Sequence, residues 1–329
     1  MNKLLQSYYS FHAFYRAKIL KQKTPLIVFW NLTDQSNAQK PCYAMPPRQE
    51  KELSASEAID VVDRLHKANV RQVILTGGDP MVRFDIGSII DQLREKNISV
   101  LVETHGFFAD RKVEILKVTD LVILPLDGPE EIHDRLRYPG SYQEVLRAAK
   151  VCDKNSVPFV FRCTLTSENV DLISVPLEIA RHFNRRVYFE PIPPILPGTK
   201  TPHPLMFSSD RMKMAMVRLK KMKKSQYPNI GNSESSLTHL YHWPELRSRS
   251  CDAGWISAYI DLNGDCKPCR YVSARHTSNV LRDGFIEAFN KLTVTHCSDC
   301  WQFFPLELHE KMRLSFKNIP SLLFVPGPY

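Results

Sequence analysis

No stretch of about 18 consecutive apolar residues occurs in this 329-residue chain, so a membrane-spanning helix is excluded. The first 22 residues have neither an uninterrupted apolar core nor a small-residue cleavage site. Tyr8, Tyr9, Phe11, Phe14 and Tyr15 alternate there with polar residues, which predicts an amphipathic helix rather than a secretory signal. No recognised nucleic-acid module surrounds the basic run Arg218, Lys220, Lys221, Lys223 and Lys224, and the run reads as one solvated helix face. Lys plus Arg is 44 against 35 for Asp plus Glu, a net charge of +9. What these absences leave is a globular chain of ordinary composition, 43% hydrophobic and 24% charged. It is expected in the cytoplasm, with no nucleic-acid partner and no membrane span.

The chain alternates between strand and helix patterns. Residues 25–32 form a continuous apolar run of strand length. Residues 54–68 are helical: Ala58, Ile59, Val62 and Leu65 repeat at three and four, and Ser54 with Glu57 forms a capping box. Strands follow at 72–75, 100–103, 121–126, 159–165 and 187–190, and helices at 86–96, 112–117, 142–152 and 175–182. Strands apolar throughout, separated by helices, imply a parallel sheet covered by helices. Six such units make a partial barrel or a doubly wound sheet, and in both the chemistry collects at the carboxyl ends of the strands.

Those ends hold the informative residues. A polar loop, 33–44, follows the first strand, and Gly77-Gly78-Asp79-Pro80 follows the second. Thr104-His105-Gly106, Asp127-Gly128-Pro129, Arg162 with Thr164, and Glu190-Pro191 mark the remaining four. Gly77 and Gly78 are expected to let a ligand approach the backbone closely and to expose its amides. Repetition of polar residues at successive ends points to a ligand lying across the mouth of the sheet.

Five of the eight cysteines, Cys251, Cys266, Cys269, Cys297 and Cys300, crowd into the last quarter. In a reduced compartment, clustered thiols hold metal more often than disulfides. Cys266-x2-Cys269 and Cys297-x2-Cys300 have the spacing of a tetrahedral zinc site. Cys152 and Cys163 lie in apolar surroundings and read as small buried residues, and Cys42 stands alone. A proline-marked stretch leads to a methionine-containing helix near 207–224, for which core packing is the plainer explanation.

The order of these pieces resembles the radical S-adenosylmethionine (SAM) enzymes. Gly77-Gly78-Asp79-Pro80 matches their GGEP/GGDP motif, Thr104-His105-Gly106 is similar to their TNG-like ribose contact, and Leu126-Asp127-Gly128-Pro129 with Ile132-His133-Asp134 is similar to a stretch of the peptide-modifying and cofactor-maturing branch. The tail, Cys251-x-Ala253-Gly254, Asn263-Gly264-Asp265, Pro268-Cys269 and Cys297-x2-Cys300, resembles the auxiliary-cluster module called SPASM or, when shortened, twitch. The resemblance implies an N-terminal helix over 1–24, a partial (β/α)6 barrel over 25–195, a linker and helix over 196–250, a cluster domain over 251–305, and a C-terminal helix and tail over 306–329. It implies that Gly77, Gly78, Asp79 and Pro80 contact SAM and that Thr104 lies at its ribose; with the strand-end residues Asp127, Arg162 and Glu190 these make up the expected SAM site. It also selects Cys251, Cys269, Cys297 and Cys300 as ligands of one [4Fe–4S] cluster, with Cys266 a bystander; zinc stands as the alternative metal.

One departure outweighs the matches. The family's first loop reads approximately T-x-x-C-N-x-x-C-x-x-C-Y. Here Thr33, Asn37 and Cys42-Tyr43 fall on that pattern, but Ser36 and Lys40 occupy cysteine places and the loop is one residue short. A hydroxyl is a poor ligand for this cluster and a protonated amine is none. Three readings stay open: a degenerate member that binds a peptide, a cofactor precursor or a radical SAM paralogue; an active maturase whose cluster ligands a partner completes; and a non-radical SAM-binding enzyme.

Overall fold

The computed structural model describes residues 3–37, 51–196, 201–245, 251–271, 278–293 and 301–313. Helix α1 (Lys3–Phe14) runs into a π-helical turn, Tyr15–Ile19. Six β/α units follow: β1 (Ile27–Thr33), α2 (Ala55–Lys67), β2 (Gln72–Gly77), α3 (Ile86–Glu95), β3 (Ser99–Glu103), α4 (Val113–Lys117), β4 (Leu121–Pro125), α5 (Glu130–Leu136), α6 (Ser141–Lys154), β5 (Phe159–Leu165), α7 (Ser174–His182) and β6 (Val187–Pro191). The chain then forms α8 (Ser209–Ser225), α9 (Glu234–Leu240), β7 (Ser257–Ile260), β8 (Asp265–Lys267), β9 (Ser278–Asn279), α10 (Val280–Asp283), α11 (Phe285–Lys291) and α12 (Phe303–Arg313).

One sheet runs in the order β6-β5-β4-β3-β2-β1-β7-β8-β9. Strands β1 to β6 pair in parallel and β7 adds in parallel beside β1, while β8 and β9 are antiparallel. The sheet does not close on itself, so the fold is a partial barrel. Its strands are buried on both faces, which is why they read as unbroken apolar runs. Val28, Trp30, Leu75, Val102, Leu124, Phe161 and Phe189 pack outward under the helices. Ser54 caps α2 through the Glu57 amide, and the Glu57 carboxylate accepts from Ser54 N in return, as the spacing predicts. That box fixes the start of a helix whose Ala58, Val61, Val62 and Leu65 are wholly buried.

The alternate residues turn inward. Ile27, Ile74, Leu101, Leu121, Ile123, Val160 and Tyr188 form a second core with Ala13, Phe14 and Ala17 from the N-terminal helical segment and Phe303, Phe304 and Leu308 from α12. Arg71, just before β2, stacks its guanidinium 3.9 Å over the Tyr9 ring, so α1 lies at the amino-terminal ends of the strands. Helix α12 enters from the other end: Phe303 N donates 2.9 Å to Glu190 at the end of β6, and Phe304 meets Phe29 edge to face.

Some elements were not legible as written. Helix α5 follows Pro129 directly, and α9 follows α8 in the stretch read as linker and helix. The C-terminal helix begins at Phe303 rather than 306. The Asn263-Gly264 turn joins the antiparallel β7 and β8, with Gly264 at a φ of +85°.

Candidate functional site

Side chains alternate along a strand, so Thr76, Glu103, Arg162 and Glu190 all point into the barrel near the carboxyl ends of β2, β3, β5 and β6. Arg162 Nη1 donates to Glu103 at 2.8 Å, and Thr76 Oγ1 donates to the other Glu103 oxygen at 2.7 Å. Arg162 Nε stands 3.7 Å from Glu190, too far for a hydrogen bond. Burial opposes ionisation of Glu103, but the Arg162 and Arg270 guanidiniums outweigh it and hold its carboxyl below the usual range. At Glu190, burial wins and raises the carboxyl despite Arg162 and the Phe303 amide. The result is one carboxylate that stays ionised and one that holds its proton more readily, both acted on by Arg162 and Arg270.

A cavity opens against this cluster. Thr76, Glu103, Arg162 and Glu190 line it from the barrel, Cys251, Tyr259, Cys269 and Arg270 from the tail, and Phe303 and Phe304 from α12. Arg162 and Glu190 were legible as strand-end residues. Glu103 and Arg270 were missed. The signal for Glu103 was its place two residues after Leu101 at the end of an apolar strand; Arg270 had only its adjacency to Cys269.

Asp79, Thr104 and Asp127 make their contacts inside the fold. Asp79 is fully buried; it accepts from Met81 N at 2.9 Å, Thr104 Oγ1 at 2.9 Å and His105 N at 3.0 Å, which ties the end of β2 to the end of β3. Burial still raises its carboxyl to about 6. Thr104 Oγ1 also accepts from Gly106 N. Asp127 accepts from Arg137 Nε at 2.7 Å and Thr164 N at 2.9 Å. Burial alone would raise Asp127, yet Arg137 foremost holds it below its ordinary value.

The glycines have a different use from the one expected. Gly78 N donates 2.7 Å to Thr33 O and Asp79 N donates 2.9 Å to Gln35 O, so these two amides are taken rather than open to a ligand. A Cβ on Gly77 would fall 2.1 Å from Thr33 O and one on Gly78 2.3 Å from Gln35 O. Both positions are glycine because the loop after β1 lies directly on them. Pro80, also buried, begins the short helical turn that follows.

That loop is braced further along. Thr33 Oγ1 donates to Glu52 at 2.7 Å, and Asn37 Nδ2 donates to Tyr138 Oη at 3.0 Å and to Glu144 at 3.3 Å. Ser36 is half-buried within it; Lys40 and Cys42 lie outside the described residues. Beside this clamp, His105 Nδ1 and Asn37 Oδ1 are buried and have no hydrogen-bond partner among the described residues. Burial first, and then Arg137 and Arg162, lower the His105 imidazole to about 3, so it is neutral near pH 7. Together with Arg162 Nε, these are buried polar atoms that a ligand could satisfy.

In the tail, Cys251 and Cys269 share the cavity, and each receives a backbone N–H on sulfur: Ala253 N at 3.4 Å and Tyr271 N at 3.5 Å. Amide donors of this kind suit thiolate sulfurs held to a metal or cluster. Cys266 differs: it is packed in the outer core, and burial pushes its thiol up to about 12. Cys152 and Cys163 are buried, as their surroundings predict. Cys297 and Cys300 lie outside the described residues. Among the described residues, no three His, Cys, Asp or Glu side chains converge as a metal site.

An open parallel barrel with its polar residues at the strand ends and a cysteine-bearing hairpin beside β1 defines the class, and the family described as the radical SAM superfamily matches residues 40–173. Over those residues the chain is similar to that superfamily, and the open sheet agrees with the fold of its structural neighbours. It is 31% identical over 157 residues to the Fe-coproporphyrin III synthase of Methanosarcina barkeri, covering 46% of this chain and 39% of that protein. The chain thus spans about two fifths of the length of that relative. With the mycofactocin maturase MftC of Mycobacterium tuberculosis it shares 26% identity over 270 residues, 79% of this chain and 68% of the maturase. Streptococcus suis SuiB bound to S-adenosylmethionine superposes with a TM-score of 0.68 at 15% identity, over 83% of this chain and 68% of SuiB, a likeness of fold.

Proposed function

We propose that this chain is a degenerate radical SAM/SPASM-like iron–sulfur protein. Cys251, Cys269, Cys297 and Cys300 hold one C-terminal [4Fe–4S] cluster, and no SAM-cleaving cluster forms at the barrel mouth. It serves peptide or cofactor maturation by binding a substrate or a partner, an intact radical SAM paralogue being the fitting partner. The similarity to a maturase and to a Fe-coproporphyrin synthase supports that substrate class.

The observation that carries the reading is the loop after β1. Ser36 stands where the family has its first thiolate, in a segment whose backbone is bonded onto Gly78 and Asp79. The donor set there does not fit the catalytic cluster, and no chemical step is assigned to it. The tail fits better: Cys251 and Cys269 face one cavity with amide donors on both sulfurs, whereas Cys266 packs in the outer core and does not line that cavity.

The unsatisfied His105 Nδ1 and Asn37 Oδ1 favour a second reading of the mouth, as a site that binds SAM without cleaving it. There Arg162 and Glu190 would offer charged contacts, while Asp79, Thr104 and Asp127 would hold the shape. Iron, sulfide and zinc counted on anaerobically reconstituted full-length protein test the main reading. About four iron atoms per chain are expected. About eight iron atoms, or one zinc without iron, would contradict it.

A further inference from the structure

The N-terminal helical segment is apolar on two opposite sides. One side buries Ala13, Phe14 and Ala17 against the barrel. The other leaves Tyr8 60%, Phe11 51%, Tyr15 44% and Ile19 54% exposed. The spacing of these four residues (three, four and four) lines them up as one stripe along a helix. An amphipathic helix that only docked on its own domain would be polar on its outer side.

The charge around the stripe has one sign. Residues 1–33 contain Lys3, Arg16, Lys18, Lys21 and Lys23 and no Asp or Glu; the first acidic residue is Asp34. Lys18 reaches Asp252 at 3.5 Å, and Lys23 donates to the Asn290 and Leu292 carbonyls. Among the described residues Arg16 bonds the neutral Gln22 and Lys21 is exposed, and neither is matched by a carboxylate. No described helix is long and apolar enough to cross a membrane.

We propose that this stripe docks the protein peripherally on an anionic phospholipid surface. Tyrosines with an apolar ring and a polar hydroxyl suit the boundary between headgroups and acyl chains. Unpaired cations beside them complement anionic headgroups. A convex row of side chains fits a flat bilayer better than it fits a protein partner, which would require a groove. The carboxyl-terminal ends of the strands lie away from α1, so docking through this stripe does not cover them.

The test is sedimentation of the full chain with vesicles of phosphatidylcholine alone and of phosphatidylcholine with about a quarter phosphatidylglycerol, at ionic strengths of about 0.05 and 0.5 M. Binding to the anionic vesicles at low salt should exceed binding to neutral ones by about tenfold or more and fall several-fold at high salt. The triple variant Tyr8→Ser, Phe11→Ser, Tyr15→Ser should lose about tenfold or more with an unchanged thermal midpoint, because these side chains are exposed. Three outcomes would overturn the proposal: no binding to anionic vesicles at low salt, equal binding by the variant, or a concentration-dependent dimer that the same substitutions abolish, which would make the stripe a contact between copies of the chain.

Discussion

Arg162 on β5 donates to Glu103 on β3 across the intervening strand at 2.8 Å, deep on the inner face of the sheet. This bond lets two half-buried acids, Glu103 and Glu190, face one cavity, because a guanidinium stands between them. Arg162→Ala should therefore cost about 3 kcal/mol or more, mostly from leaving the carboxylates unpaired. Lowering the pH should restore part of the loss as the acids take up protons, and Arg162→Lys should recover less than the full stability because one point charge cannot reproduce the guanidinium fork. Urea unfolding at pH 7 and pH 5 measures both effects.

Two imidazoles make the fold sensitive to acid. Burial, Arg137 and Arg162 lower His105 to about 3, and burial and Arg137 lower His133 to about 4. In the unfolded chain both would titrate near 6.5, so between pH 6.5 and pH 4 the unfolded state binds protons that the folded state refuses. Their contribution to stability is complete above pH 6.5 and is lost as the pH falls, by at most about 1.4 kcal/mol per pH unit for each group. Asp79, raised to about 6 by burial, has the opposite slope between its ordinary 3.8 and 6. The double variant His105→Gln, His133→Gln should lose the acid-side slope, and with it gone the Asp79 contribution should emerge as stability rising toward pH 4. Unfolding free energies at half-unit pH steps check this.

The tail cysteines should separate cleanly by role. Cys251→Ser and Cys269→Ser should each remove most of the iron and the broad visible absorption of the reconstituted protein. Cys42→Ser should leave the iron count unchanged, since a single thiol in the first loop cannot hold a cluster. Cys266→Ser should keep the iron but destabilise the chain by about 1–3 kcal/mol, through burying a hydroxyl in an apolar core. Iron analysis and thermal melting of the four variants are sufficient.

The barrel was legible because its parallel strands are buried on both faces and so appear as apolar runs such as Val73-Ile74-Leu75 and Val122-Ile123-Leu124. Helix α5 was not legible: Glu130–Leu136 is short and polar, and only His133 and Leu136 are buried. The polar strand-end residues were found, but their division of labour was not. Asp79 and Asp127 look like ligand contacts in the sequence, and only the approach of Thr104, His105, Arg137 and Thr164 in space turns them into braces. Gly77 and Gly78 show the same limit: a close approach was readable, but the approaching group is the chain's own Thr33–Gln35 backbone. Glu103 went unnoticed because a single acid at a strand end carries no motif.

On the proposed reading, Ser36 and Lys40 in the first loop leave the barrel without a cluster able to reduce SAM. The most direct measurement is 5′-deoxyadenosine formed when the anaerobically reconstituted chain, alone, is incubated with SAM and a strong reductant. None is expected above the protein-free control, with about four iron atoms still bound per chain; one equivalent or more of 5′-deoxyadenosine per chain would show that the mouth does hold such a cluster.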